Sequence, residues 1–195
     1  RYFNYVMFNM KRLPIPDNSP LTIITGGQTG ADRAGLDASY RLRIPTSGYV
    51  PRGCKTENGP DFTLRRYNVV EHDSDKYPPR TIANIQHADV TVILSPQRNS
   101  KGTALALETC IEFNKPHIIL SALDKKDESD ALTFFHFFPH RIINIAGNRE
   151  SACPGLHVAA GKFLMSTLSR HLKEKGWLKP DITRRAPGHF SITGG

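Results

Sequence analysis

Leu21-Thr22-Ile23-Ile24-Thr25-Gly26-Gly27-Gln28-Thr29-Gly30-Ala31-Asp32-Arg33 passes from a short apolar run through a glycine turn into a helix start. Leu21 to Ile24 is too short and too β-branched for a helix, so it predicts a buried parallel strand. Gly26, Gly27 and Gly30 remove Cβ atoms where the chain must turn, which lets main-chain N–H groups approach a ligand oxygen closely. The helix that follows aims its N-terminus at the same point, and unpaired first-turn amides with the positive end of the dipole suit an anion. A phosphate or other oxyanion held by Gly26, Gly27, Gln28, Thr29 and Gly30 is the expected guest. The alternative is a βα turn that binds nothing.

Beyond this stretch, Ala34, Ala38 and Leu42 continue a helix from Ala31 to about Arg43, closed by Pro45. Ile44 to Val50 predicts a second strand, followed by a loop whose Arg52 and Lys55 are candidate charge partners for the anion. Asn58-Gly59-Pro60 predicts a turn, the rest of Thr56 to Arg66 carries little local signal, and Tyr67 to Val70 suits a brief strand. Tyr77-Pro78-Pro79-Arg80-Thr81 opens a helix to about His87, and Val90 to Leu94 has the character of a central strand. After it come the polar loop Ser95 to Thr103 and a helix from about Ala104 to Phe113, with Thr103 as its N-cap. Lys101, Gly102 and Thr103 thus make a second strand-loop-helix anion site, and two such sites in one parallel sheet share a crevice.

His117 to Leu120 predicts another strand, Leu123 to Asp130 a charged surface loop or short helix, and Phe134, Phe135, Phe137 and Phe138 an aromatic cluster. Arg141 to Ile145 is the last strand, Ala146 to Ser151 the loop after it, and a stripe including Leu156, Ala160, Phe163, Leu164 and Leu168 marks a closing helix to Glu174. The alternation of elements predicts an α/β, Rossmann-like, doubly wound, mainly parallel sheet with helices on both faces. The predicted divisions are an N-terminal extension (1–20), the domain (21–178) and a flexible C-terminal tail (179–195). The extension is rich in aromatics, Tyr2, Phe3, Tyr5 and Phe8, which together with the Phe134 to Phe138 cluster predict a homo-oligomer.

Composition narrows the function classes. A chain of 195 residues with 38% hydrophobic content supports one substantial core. No run of about 18 apolar residues exists to cross a bilayer, so no membrane partner is expected. Three widely spaced cysteines suggest neither a disulfide framework nor a metal motif and fit a cytoplasmic setting. The net charge of +8 favours anionic partners but is spread along the chain, so nucleic acid is not the favoured one. The eight histidines lack metal-ligand spacing, and no metal site is assigned.

Thr25 to Asp32, the Tyr77…Arg80-Thr81…Asn84…Asp89 helix, Gly102-Thr103 and Ala146 to Ser151 followed by Pro154-Gly155 resemble the circularly permuted YpsA-like proteins, often labelled molybdenum carriers. These belong to the SLOG group of Rossmann-like folds, which includes the Lonely Guy phosphoribohydrolases. The resemblance covers about Leu21 to Lys175. It implies binding of a nucleotide or of a nucleotide-like phosphorylated cofactor such as molybdenum cofactor, with Arg149, Glu150 and Ser151 gripping a second anionic group. Read from the residues alone, those three serve equally as an ion pair and a cap.

The Lonely Guy pattern places an arginine ahead of an Ala-Asp that leads into a strand, and Arg80 before Ala88-Asp89 is similar. After that strand it carries Pro-Gly-Gly-x-Gly-Thr-x-x-Glu, whose glutamate helps break an N-glycosidic bond; here Ala106 stands at that position. Glu108, two residues on, lies about 200° around the helix and would face away. Candidate catalytic residues are therefore Arg80, Glu108 and Asp32. Asp32 suits a ribose hydroxyl, a metal-bound water or simply the helix dipole. Without the glutamate, binding as a carrier or sensor is favoured over N-glycosidic hydrolysis of nucleoside monophosphates, with a basic nucleic-acid or protein interaction module as the third reading.

Overall fold

The computed structural model describes residues 11–138 and 140–177. In chain order the elements are β1 (Thr22–Thr25), α1 (Ala31–Arg41), β2 (Thr46–Ser47), β3 (Tyr49–Val50), β4 (Lys55–Thr56), β5 (Gly59–Pro60), β6 (Val70–Glu71), α2 (Tyr77–His87), β7 (Val90–Leu94), α3 (Lys101–Glu112), β8 (His117–Leu120), α4 (Lys125–Phe137), β9 (Ile142–Gly147) and α5 (Leu156–Glu174). Five strands form one parallel sheet in the order β2-β1-β9-β7-β8. If β9 and α5 were moved to the front of the chain, this order would read 3-2-1-4-5, the start of the doubly wound Rossmann order. The chain is thus an α/β Rossmann-like fold whose first strand is made last.

Period-2 alternation sorts the strands' side chains between two cores. Ile23, Val90, Val92, Leu94, Ile143 and Ile145 face a cluster with Ala31, Ala34 and Ala38 of α1, Phe134 and Phe135 of α4, and Leu156, Ala160 and Leu164 of α5. Ile24 faces Ala83 and Ala88, and Ile93 faces Ile85, Ala106 and Cys110, which places α2 and α3 on the opposite side. Each fully buried isoleucine contributes about 1.5–3 kcal/mol by leaving water.

Three local expectations change. The predicted strand from Ile44 to Val50 is split at Gly48, so that β2 joins the main sheet and β3 pairs with β6. Gly48 lies so close to β1 that a Cβ would fall 2.1 Å from the Thr25 carbonyl oxygen. The charged stretch and the aromatic cluster belong to one helix, α4, capped by Asp124, whose carboxylate accepts from the amides of Lys126 and Asp127. Its first half is largely charged, so the apolar stripe of Ala131, Phe134 and Phe135 starts late. Finally, Ser100 rather than Thr103 caps α3, accepting from the Thr103 amide at 3.1 Å, and the helix begins at Lys101.

Residues 11–20 pack on the domain. Leu13 is buried with Ile24 and Tyr49, and the Arg141 guanidinium donates to the carbonyls of Pro16 and Ser19. The aromatics Tyr2 to Phe8 and the expected tail lie outside the described residues.

Candidate functional site

The carboxyl ends of β1, β9 and β7 face a cavity of about 470 Å³. It lies where the winding of the sheet reverses, the usual ligand position in open α/β sheets. Gln28 and Asp32 line it from the β1 side, Ala146, Gly147 and Arg149 from β9 and the following loop, and Ser100 to Gly102 with Leu105 and Ala106 from α3. Tyr77, Pro78 and Arg80 of α2 close the far side. Lysine, two arginines and an apolar wall of tyrosine, proline and leucine therefore share one concave surface.

The glycine turn is committed to the protein itself. The amide of Gly27 donates to the Thr25 hydroxyl at 3.1 Å, that of Gln28 to the Asp32 carboxylate at 3.2 Å, and that of Thr29 to the Gln28 side-chain oxygen at 2.9 Å. Three of the amides expected to cradle an oxyanion, those of Gly27, Gln28 and Thr29, already hold internal acceptors, one of them a carboxylate. The glycines serve packing. A Cβ on Gly26 would fall 1.6 Å from the Arg80 guanidinium, one on Gly27 would fall 2.6 Å from Val50, and one on Gly30 would fall 2.5 Å from the Asn148 carbonyl oxygen. Gly30, at φ 71°, lets the loop after β9 close on the start of α1, where the Ala31 amide donates to Asn148.

Arg80 has the opposite character. It is 8% exposed, packs its guanidinium against Gly26, and pairs with Asp32 at 3.3 Å. That approach is an ion pair rather than an aligned hydrogen bond, and the Arg80 Nε is buried without an acceptor. Buried guanidinium donors normally find partners, because an unmet one forfeits its hydration. Burial pushes the Asp32 carboxyl above the ordinary carboxylate range, against the pull of Arg80 and of the Gln28 and Gly26 amides. The first-turn amides of Lys101 and Gly102, with no intrahelical carbonyl to receive them, border the same cavity. Lys101 is exposed at its rim.

Thr103 is buried in a polar network centred on Asn148, a residue that no local sequence signal singles out. The Asn148 oxygen accepts from the Ser95 hydroxyl and the Gln97 amide, and its amide group donates to the Gln97 carbonyl and to the hydroxyls of Ser100 and Thr103. Asn148 thereby ties the loop after β9 to the loop after β7. Glu150 caps α5, accepting from the amides of Gly155 and His157 at 2.6 and 2.8 Å. Thr29, Arg149 and Ser151 converge on Glu57, at the tip of the β4–β5 hairpin, a second residue that the sequence leaves unmarked. Arg52 and Lys55 do not line the cavity; Lys55 pairs with Asp75 at 3.5 Å.

Of the catalytic candidates, Arg80 and Asp32 meet at the cavity, whereas Glu108 is exposed and outside its lining. Ala106, at the position matching the hydrolase glutamate, lines the cavity and brings no carboxylate. Among the described residues, no group of three or more His, Cys, Asp or Glu is placed to hold a metal ion. Nor is any helix among them long and apolar enough to cross a membrane.

A profile described as the circularly permutated YpsA SLOG family matches residues 23–168, spanning every element from β1 into α5. The chain belongs to that family. The last-made central strand is the permutation in structural form. This SLOG protein is also similar to a crystal structure, at 1.45 Å resolution, of a protein from Syntrophus aciditrophicus SB named "Putative molybdenum carrier protein". The two are 33% identical with a TM-score of 0.67, over 77% of this chain and 96% of that one. No curated protein matches the chain.

Proposed function

We propose that this SLOG protein binds an anionic, nucleotide-like phosphorylated ligand in the crevice and holds it without cleaving it, as a carrier or sensor. The observation that carries this reading is Arg80: a buried guanidinium on the cavity wall whose Nε lacks an acceptor. Lys101 and the first turn of α3 add positive potential on the facing side, and a phosphate supplies the acceptors that Arg80 lacks. Tyr77, Pro78 and Leu105 offer a wall on which a flat ring can lie. The volume is within the range of small-molecule sites. Molybdenum cofactor fits the same chemistry, and the name of the Syntrophus protein supports keeping it among the candidates.

Ala106 argues against N-glycosidic hydrolysis, because an oxocarbenium-like state needs a nearby carboxylate. Asp32, the one carboxylate among the described residues of the cavity lining, is held by Arg80 and by the Gln28 amide. Incubation with a panel of nucleoside monophosphates is expected to show binding without release of free base; released base would move the protein to the hydrolases. Mass spectrometry of whatever co-purifies names the ligand. The proposed setting is the cytoplasm, consistent with three free cysteines. Self-association is proposed through Phe137 and Phe138, exposed at the end of α4. Light scattering at micromolar concentration is expected to give more than a monomeric mass, and a monomeric mass contradicts it.

A further inference from the structure

The β4–β5 hairpin is antiparallel, with Lys55 opposite Pro60 and Thr56 opposite Gly59, so Glu57 and Asn58 form its tip. Charged residues at such tips normally point into water, yet the Glu57 side chain is only 10% exposed. One carboxylate oxygen accepts from the Thr29 hydroxyl and from the Ser151 amide at 3.1 Å. The other accepts from the Ser151 hydroxyl and lies 3.3 Å from the Arg149 Nε. Thr29 is itself oriented, because its oxygen accepts from the Glu150 amide at 3.1 Å and leaves its hydrogen for Glu57. The Glu57 amide donates to the Gln28 side chain at 2.9 Å. Two hydroxyls, a main-chain amide and a guanidinium, gathered from the loops after β1 and β9, form a donor set suited to a tetrahedral oxyanion. Arg149 and Gln28 also line the cavity, so the cluster sits on its rim.

We propose that Thr29, Arg149 and Ser151 form a second oxyanion subsite at the mouth of the crevice, that the Glu57 carboxylate is its internal occupant, and that a phosphate-type dianion displaces Glu57 and frees the hairpin. The inference goes beyond the Arg80 site and stands or falls separately from it. A dianion competes on equal donors with more charge than a monoanionic carboxylate, and the covalent tether of Glu57 gives the carboxylate its advantage. Burial alone would raise the Glu57 carboxyl, but Ser151, Thr29 and Arg149 hold it below the ordinary range, as expected for an anion in a receptive site.

The test titrates inorganic phosphate, molybdate and glycerol phosphate into the wild type and into Glu57→Gln and Glu57→Ala, each in matched ionic strength. Glu57→Gln keeps the shape of the side chain and removes its charge. Either variant is expected to bind at least one of the three about tenfold more tightly, with the gain abolished by adding Arg149→Ala. A response to the ester alone assigns the subsite to a ligand phosphate, and a response to the free ions makes it a general oxyanion site. In the wild type, saturating oxyanion is expected to speed amide hydrogen exchange at Glu57 and Asn58, which matched chloride does not. Folded Glu57→Gln binding all three anions within twofold of the wild type, or not at all, overturns the proposal. The gain must also persist in an Arg80→Ala background: if it vanishes there, the new anion sits at Arg80 and the second subsite falls. Loss of nucleoside monophosphate binding in that background, with the gain intact, bears only on Arg80.

Discussion

The two ends of the crevice hold the same kinds of donor, filled at one end and only partly matched at the other. At the glycine-turn end, main-chain amides, hydroxyls and Arg149 meet the protein's own carboxylates, Asp32 and Glu57. At the α2–α3 end, Arg80 pairs with the same Asp32 yet keeps a buried, unmet Nε, and Lys101 is exposed at the start of α3. The difference shows that the donors of a glycine-rich βα turn can be taken up by the protein's own acceptors. Such a turn gathers donors, and any acidic residue within reach can claim them before a ligand does. What marks a site is a donor that the fold buries and leaves unmatched.

Mutating the glycine turn challenges this contrast most severely. Because the turn is filled by internal contacts, Gly27→Val is expected to cost roughly 3 kcal/mol or more of stability, combining φ 70° with a Cβ 2.6 Å from Val50. Urea unfolding measures it; a stable variant that has lost ligand affinity would return the anion to the turn. Asn148→Ala, at the joint between the two ends, removes the acceptor of the Gln97 amide and the donor to the Gln97 carbonyl and is expected to cost about 2 kcal/mol.

Acid distinguishes the two carboxylates of the glycine-turn end. The Glu57 carboxyl is lowered from 4.5, so its contribution is complete above that value and is lost as pH falls through its folded value. Asp32 is raised from 3.8, so the unfolded chain gives up this proton first and its burial costs stability as pH rises through the folded value. Carboxyl chemical shifts are expected to show Glu57 titrating below 4.5 and Asp32 above 3.8; Glu57 at or above 4.5, or Asp32 at or below 3.8, would contradict this difference between the two carboxylates. The smallest effect is expected from Lys101→Ala: a stability change within about 0.5 kcal/mol, as for an exposed side chain, with a few-fold weaker binding of a nucleoside monophosphate by calorimetry.

What the sequence made legible follows from how far apart the interacting residues lie. The α2 helix and the β7 and β8 strands carry their signals within a few residues, and the structure places them at Tyr77–His87, Val90–Leu94 and His117–Leu120, as predicted. The two-sided parallel sheet follows from the same alternation. The hairpin at 55–60 shows locally only as the Asn58-Gly59-Pro60 turn, and Glu57 takes its role from Thr29 and Ser151, which are distant in the chain. Asn148 stands within a legible motif, but its five bonds reach loops that only the sheet brings together. Arg80 could be picked out from its helix start and the family pattern. Its pairing with Asp32, and hence its unmet Nε, could not.

If Arg80 holds the ligand's anion, calorimetric titration of nucleoside monophosphates into the wild type, Arg80→Lys and Arg80→Ala shows it directly. Binding is expected to weaken about tenfold in Arg80→Lys, where a point charge replaces a planar fork, and about a hundredfold in Arg80→Ala. Equal dissociation constants in three folded proteins would refute the role of Arg80 and, with it, the proposed anion site.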